Sequence, residues 1–230
     1  MRGVEFEKMT YKRIKDDLRY KPLYSLVEVG RYARVQPGTL RSWTRSDDGG
    51  LLVAAAHNTV APLSFINLIE AHVLLALRRM HTVPMKKIRT AVEWLKDQYH
   101  TEHPLAEIDL ETDGRDVFIR EFGLPVSASR RGQIGNEILS RYLQRIERDP
   151  NRIPVRFFPL TYDASPKTIV MDPAVAYGRP VIKGTRITTL MVFERYSGGE
   201  SLTEIADDYS LDLPFVEEAL RCEIDQRAAA

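Results

Sequence analysis

The chain has 230 residues, 43% of them hydrophobic and 28% charged, a composition that fits one or two globular domains with cores of ordinary size. Its 33 Lys and Arg stand against 32 Asp and Glu, so a net charge of +1 excludes a global basic field, and any contact with nucleic acid must come from a local patch. A single cysteine, Cys222, excludes an internal disulfide framework and a cysteine-rich zinc cluster, and it fits a reducing compartment.

The opening run MRGVEFEKMTYKRIKDD carries charge throughout and lacks the apolar core of a signal peptide. The longest apolar stretch, Leu63 to Leu77, is interrupted by Asn67, Glu70 and His72 and falls short of the ~20 residues that span a bilayer. The expectation is a soluble, cytoplasmic protein with no membrane partner. Ser25 and Glu28 have capping-box spacing, which predicts a helix start there with Leu26, Val29 and Ala33 on one face. Val35, Gln36 and Pro37 then force a turn, and Pro37 suits the first position of a second helix that buries Leu40 and Trp43. The result is a short helix-turn-helix. Turn residues from Asp47 to Gly50, followed by an apolar run, read as a hairpin or wing beside it. Pro62 is expected to open a long apolar helix to about Arg79, and Pro84 an amphipathic one through Ile88, Val92 and Leu95. These elements make a first domain, residues 1–100.

A middle segment, 101–167, is read as small β/α structure without an assigned function. Asp113 and Gly114 sit as a tight turn between IDLET and RDVFI, a hairpin signal. Residues 135–148 show helical spacing at Ile138, Leu139, Tyr142 and Ile146, and IPVRFFPLT and KTIVM read as strands. The third domain, 168–230, begins with PVIKGTRI as a tight turn bent at Gly184, followed by a helix from about Thr188 to Tyr196 that stops at Gly198 and Gly199. SLTE at Ser201–Glu204 repeats the capping box of SLVE at Ser25–Glu28, and Ile205 precedes Val216 by the same interval as Val29 precedes Leu40. A second helix-turn-helix unit is expected, with Pro214 in the role of Pro37. The fold class is mainly α with small β elements, α+β.

Enzyme chemistries find no support in these residues. GRPVIKGT has five residues between its first glycine and Gly184, and Lys183 precedes that glycine, so order and spacing reject a phosphate-binding P-loop. His100 and His103 could join His57, His72 or His81 around a metal, but nothing fixes the remaining ligands. His72, inside an apolar helix, reads as a buried hydrogen-bonded residue. Cys222 beside Glu223 has an acidic neighbour that discourages a reactive thiolate. No catalytic residue, metal ligand or cofactor is assigned.

Charge separates the two helix-turn-helix units. From Tyr24 to Arg45 there are Arg31, Arg34, Arg41 and Arg45 against Glu28, a balance of +3. From Glu200 to Leu220 there are seven acids and no Lys or Arg, a balance of −7. Only the first unit suits close approach to phosphates. Its candidate DNA contacts are Arg34, Gln36, Thr39, Arg41, Ser42 and Arg45, while Arg78, Arg79, Lys86, Lys87 and Arg89 either extend that face or form the solvated side of two helices. A secondary basic turn comprises Arg179, Lys183, Thr185 and Arg186. A helical hairpin with ordinary surface arginines stays open as the plain alternative.

YSLVEVGRYARVQPGTLRSW resembles the opening of MerR-like winged helix-turn-helix domains through Leu26, Val29, Val35, Thr39, Leu40, Arg41 and Trp43. DPAVAYGRPVIKGTRI with GESLTEIADDY resembles domain-of-unknown-function family 433, matched at Gly178, Pro180, Ile182, Gly184 to Ile187, Gly199 to Ser201, Ile205, Ala206 and Tyr209. The two-domain arrangement is similar to VapB-type antitoxins of the mycobacterial kind. That resemblance implies a PIN-domain ribonuclease toxin as partner, double-stranded operator DNA bound to repress the pair's own promoter, and a homodimer matching a palindromic operator. A stand-alone DNA-binding transcription regulator without a toxin is the alternative, and a structural adaptor the weaker third.

Overall fold

A computed structural model describes residues 17–44, 52, 56, 59–79, 84–108, 137, 139–159 and 166–228. The expected wing at Asp47 to Gly50, Arg45 and the hairpin at Asp113 and Gly114 lie outside them.

The first helix, α1 (Leu26–Ala33), starts on the expected capping box: Ser25 Oγ accepts from the Glu28 amide at 3.2 Å, and the Glu28 carboxylate accepts from the Ser25 amide at 2.8 Å. It ends where Arg34 adopts left-handed φ of 57°. The chain turns so tightly that a Cβ at Gly30 would lie 2.7 Å from the Val35 carbonyl oxygen, which explains the glycine in mid-helix. Helix α2 (Pro37–Thr44) follows with Leu40 and Trp43 buried, as expected. Helix α3 (Phe65–Arg79) starts three residues later than Pro62 suggested. Ser64 supplies the reason: its hydroxyl accepts from the Asn67 amide at 3.1 Å, while Asn67 Oδ1 accepts from the Ser64 amide at 3.0 Å. Helix α4 (Met85–Tyr99) begins after Pro84 and buries Ile88, Ala91, Val92 and Leu95. A single turn, α5 (Pro104–Glu107), then covers one end of α3.

The helix expected over 135–148 is shorter. Residues 139–143 are helical, but Ile146 belongs to β1 (Ile146–Arg148), paired antiparallel with β2 (Pro154–Phe157) in a register that sets Ile146 opposite Phe157. Asp149 decides this, because its Oδ1 accepts from the Asn151 and Ile153 amides at 2.9 and 3.0 Å and bends the chain into a hairpin. A second antiparallel pair, β3 (Ile169–Val170) and β4 (Val181–Ile182), connects to β2 through a bridge between Met171 and Phe157. Helices α6 (Thr189–Ser197), α7 (Leu202–Tyr209) and α8 (Leu213–Ala228) complete the described chain. The fold is α+β, mainly helical with two small antiparallel sheets.

One apolar core runs from Tyr24 through α1 to α4 and takes in Leu105, Ile108, Leu139, Tyr142, Ile146, Phe157 and Met171, so residues beyond 100 share the core of the N-terminal helices. A second core gathers Ile169, Ile182, Val192, Ile205, Val216, Ala219 and Cys222. Phe158, Val170 and Val181 form a third, smaller cluster. Among the described residues no helix is long and apolar enough to cross a membrane.

Candidate nucleic-acid interface and acidic partner face

The two helix pairs, α1 with α2 and α7 with α8, repeat each other in detail. Both first helices open on a Ser–Glu capping box, and both end on a left-handed residue, Arg34 at φ 57° and Ser210 at φ 52°. Val29 and Ile205 are fully buried, as are Leu40 and Val216. The pairs differ in what the outer surface carries.

On the first pair, Arg41 and Ser42 are exposed on α2, Gln36 is exposed at its start, and Thr39 is half-buried. The Gln36 carbonyl accepts from the Thr39 and Leu40 amides, so its backbone opens the helix. The Ser42 hydroxyl donates to the Thr39 carbonyl at 2.7 Å, which commits that proton to the helix itself. Arg41 has no ion pair among the described residues. Arg34 is different: its guanidinium lies 3.2 Å from Asp225 of α8. The guanidinium of exposed Arg78 sits 5.9 Å from the Trp43 ring centroid, which brings the end of α3 to the flank of α2. Lys86 and Lys87 are exposed on α4.

The residues of the secondary basic turn have individual surroundings. Lys183 lies over the Phe158 ring at 5.4 Å, and Thr185 bonds within its own turn, donating to the Ile182 carbonyl at 2.8 Å. Arg186 is exposed. Arg179 follows a turn that Tyr24 anchors by donating its hydroxyl to the Gly178 carbonyl at 2.8 Å. A Cβ at Gly178 would fall 2.2 Å from that hydroxyl, and Gly178 has φ of +70°, so only glycine fits. Arg179 also acts on Tyr32 of α1: burial raises the Tyr32 pKa, Glu28 and Glu223 add to the rise, and Arg179 and Arg31 oppose it. The Tyr24–Gly178 bond was not legible in the sequence, because the two residues are 154 apart.

On the second pair the acids dominate. Arg195 engages Glu200 and, at 2.7 Å, Asp208, while the Glu204 carboxylate caps Ser201. Asp207, Asp212 and Glu217 are exposed without an ion pair among the described residues. Cys222 is buried, burial pushes its thiol pKa well up, and it accepts from Gln226 Nε2 at 3.0 Å. This matches the inert thiol expected from Glu223.

The histidines raised as metal candidates have other partners. His72 Nε2–H donates to the Tyr142 carbonyl at 3.0 Å. His103 Nδ1 meets Glu70 Oε2 at 3.1 Å, and Glu70 is fully buried and also accepts from Asn67 Nδ2. Burial opposes charge on His103, but Glu70 prevails and holds its pKa above the ordinary value. Among the described residues no group of three or more His, Cys, Asp or Glu is arranged to hold a metal. His57 and His81 lie outside the described residues.

An α+β body bearing two helix pairs of one shape and opposite charge is the class of protein these observations define. Residues 169–221 match the family described as a protein of unknown function, DUF433. Nearly the whole chain is similar to a Mycobacterium tuberculosis protein named "Putative antitoxin VapB45", 32% identical over 232 residues, 89% of this chain and 95% of the relative. Uncharacterized protein Rv2308 of the same organism is 25% identical over 87% of this chain and 89% of its own length. The crystal structure of Rv2018 from Mycobacterium tuberculosis superposes with a TM-score of 0.70 at 31% identity, covering 87% of this chain and 97% of that one. The chain belongs to the family of VapB45.

Proposed function

We propose that the protein is a non-enzymatic antitoxin of a toxin–antitoxin pair, which binds and neutralises a PIN-domain ribonuclease toxin and binds operator DNA as a homodimer to repress its own promoter in the cytoplasm. The observation that carries this reading is kinship over 89% of the chain with a protein named as a putative antitoxin. In this reading residues 1–100 form a MerR-like winged helix-turn-helix that reads DNA, 101–167 form the connecting body, and 168–230 hold the partner. Exposed Arg41 and Gln36 on and before α2, with Arg45 beyond it and Arg78 at its flank, supply the phosphate and base contacts; Arg34, Thr39 and Ser42 support them. The acidic α7–α8 pair repels phosphate and suits protein.

Co-expression with the product of the adjacent gene is the test. A stable complex with suppressed ribonuclease activity is expected. In a gel-shift series at several salt concentrations, Arg41→Ala should weaken promoter binding roughly three- to tenfold and reduce the salt slope by about one. Unchanged promoter binding sinks the DNA assignment. Failure of the gene products to associate sinks the antitoxin assignment and leaves a regulator without a toxin.

A further inference from the structure

Helix α8 carries apolar residues on two stripes. Val216, Ala219, Leu220 and Cys222 face the second core. Leu213 and Ile224, at i and i+11, lie on a neighbouring stripe at 36% and 48% exposure, with buried Leu220 at the border between that stripe and the core. Leu202 of α7, with Leu220 and Ile224 of α8, lines a groove of about 390 Å³, together with Glu217, Arg221 and Asp225. A surface helix needs one apolar stripe to hold its place, so the second is available for something else.

We propose that this groove seats an amphipathic helix of the toxin, with apolar residues at i, i+3 or i+4 and i+7 and Lys or Arg along its flanks. The inference rests on the antitoxin reading and adds the place and chemistry of the contact. Charge selects the occupant. Of the charged lining, Arg221 is engaged by Glu218 at 2.5 Å and Asp225 by Arg34 at 3.2 Å, whereas Glu217 has no ion pair among the described residues. Asp207 and Asp212 stand unpaired on the same helix pair, which has no Lys or Arg between Glu200 and Leu220. Such a field attracts a basic helix, rejects DNA and disfavours an acidic one.

The full-length protein and the adjacent-gene toxin are compared by titration calorimetry, with promoter binding as the check on folding. Ile224→Asp should weaken toxin affinity roughly tenfold or more, as expected when a charge enters a desolvated apolar contact. The double charge reversal Asp212→Lys, Glu217→Lys should weaken it severalfold and flatten its salt dependence. Promoter binding should survive in both, and if Ile224→Asp also loses it, the charge reversal decides. Wild-type toxin affinity in both variants overturns the groove assignment while leaving the antitoxin reading intact. No association by the wild-type protein overturns both. A change of oligomeric mass in Ile224→Asp with toxin affinity unchanged makes the groove a contact between copies of this chain and overturns the proposal.

Discussion

His72 and His103 lie within one apolar body and respond to pH in opposite directions. His72 is enclosed by the Tyr142 and Phe157 rings, each 4.7 Å away centroid to centroid, and burial lowers its pKa to about 4 from the ordinary 6.5. The unfolded chain binds this proton more readily than the folded one between those values, so the stability contribution is complete above pH 6.5 and falls as the pH drops towards 4. The loss should be about 3 kcal/mol. Urea unfolding at pH 7 and pH 4.5 measures it, and His72→Phe, though less stable at neutral pH, should flatten that slope. An unchanged slope assigns the acid loss to other groups. His103 works in reverse: its raised pKa gives stability present in full below 6.5 and lost as the pH climbs through the folded value. Removing it leaves buried Glu70 with the Asn67 amide alone, since its Oε1 lacks a hydrogen-bond partner among the described residues. His103→Ala should therefore cost about 3 kcal/mol in urea melts, and more than Glu70→Gln, which keeps a polar contact without a buried charge. The burial of His72 was legible from its apolar helix. Its acceptor was not, because the Tyr142 carbonyl is 70 residues distant and nothing local marks it.

Among the elements, those with local punctuation were legible and those decided by distant partners were not. Ser25 and Ser201 announce α1 and α7 because each capping box is complete within four residues, and Pro37 and Pro84 mark helix starts for equally local reasons. Pro62 misled because Ser64 and Asn67 form the cap two residues beyond it. Ile146 misled because apolar spacing from Leu139 and Tyr142 runs on in helical phase, although the Asp149 turn and pairing with Phe157 draw it into a strand. Both duplicated caps can be tested alike. Ser25→Ala and Ser201→Ala should each cost about 1 kcal/mol, since each leaves a helix amide without its acceptor. Gly30→Ala should cost more than its gain in helix propensity, because its Cβ would press on the Val35 carbonyl and open the turn between α1 and α2. Reduced promoter binding with the helical circular dichroism retained is the expected result.

Across the whole molecule, side chains from the two ends meet. Arg19 pairs with Asp149 at 2.7 Å, Tyr24 holds the Gly178 turn, and Arg34 reaches Asp225. The candidate site was half legible for this reason: the basic character of α2 is in the local sequence, but the partner that restrains Arg34 lies 191 residues away. That pair contributes little stability, since both side chains are about one-third exposed, at 32% and 34%. Its consequence is competition. Arg34 stands at the bend between α1 and α2, and the Asp225 carboxylate of α8 competes with any phosphate for its guanidinium. Asp225→Asn removes the competing carboxylate and a negative charge together. In the proposed function promoter affinity should rise roughly two- to fivefold at low salt, with a salt slope steeper by up to about one. Arg34→Ala should lower affinity, and combining it with Asp225→Asn should erase most of the gain, because the gain runs through that guanidinium. Asp225 also edges the groove on α8, so a cation brought there by a bound partner competes with Arg34 for the same oxygens. Gel shifts with the adjacent-gene product present should then, in the proposed function, show the complex holding the promoter more tightly than this protein alone, and Asp225→Asn should abolish that difference. An Asp225→Asn protein with wild-type promoter affinity in both conditions reduces the Arg34 pair to a tether between the two ends of the fold.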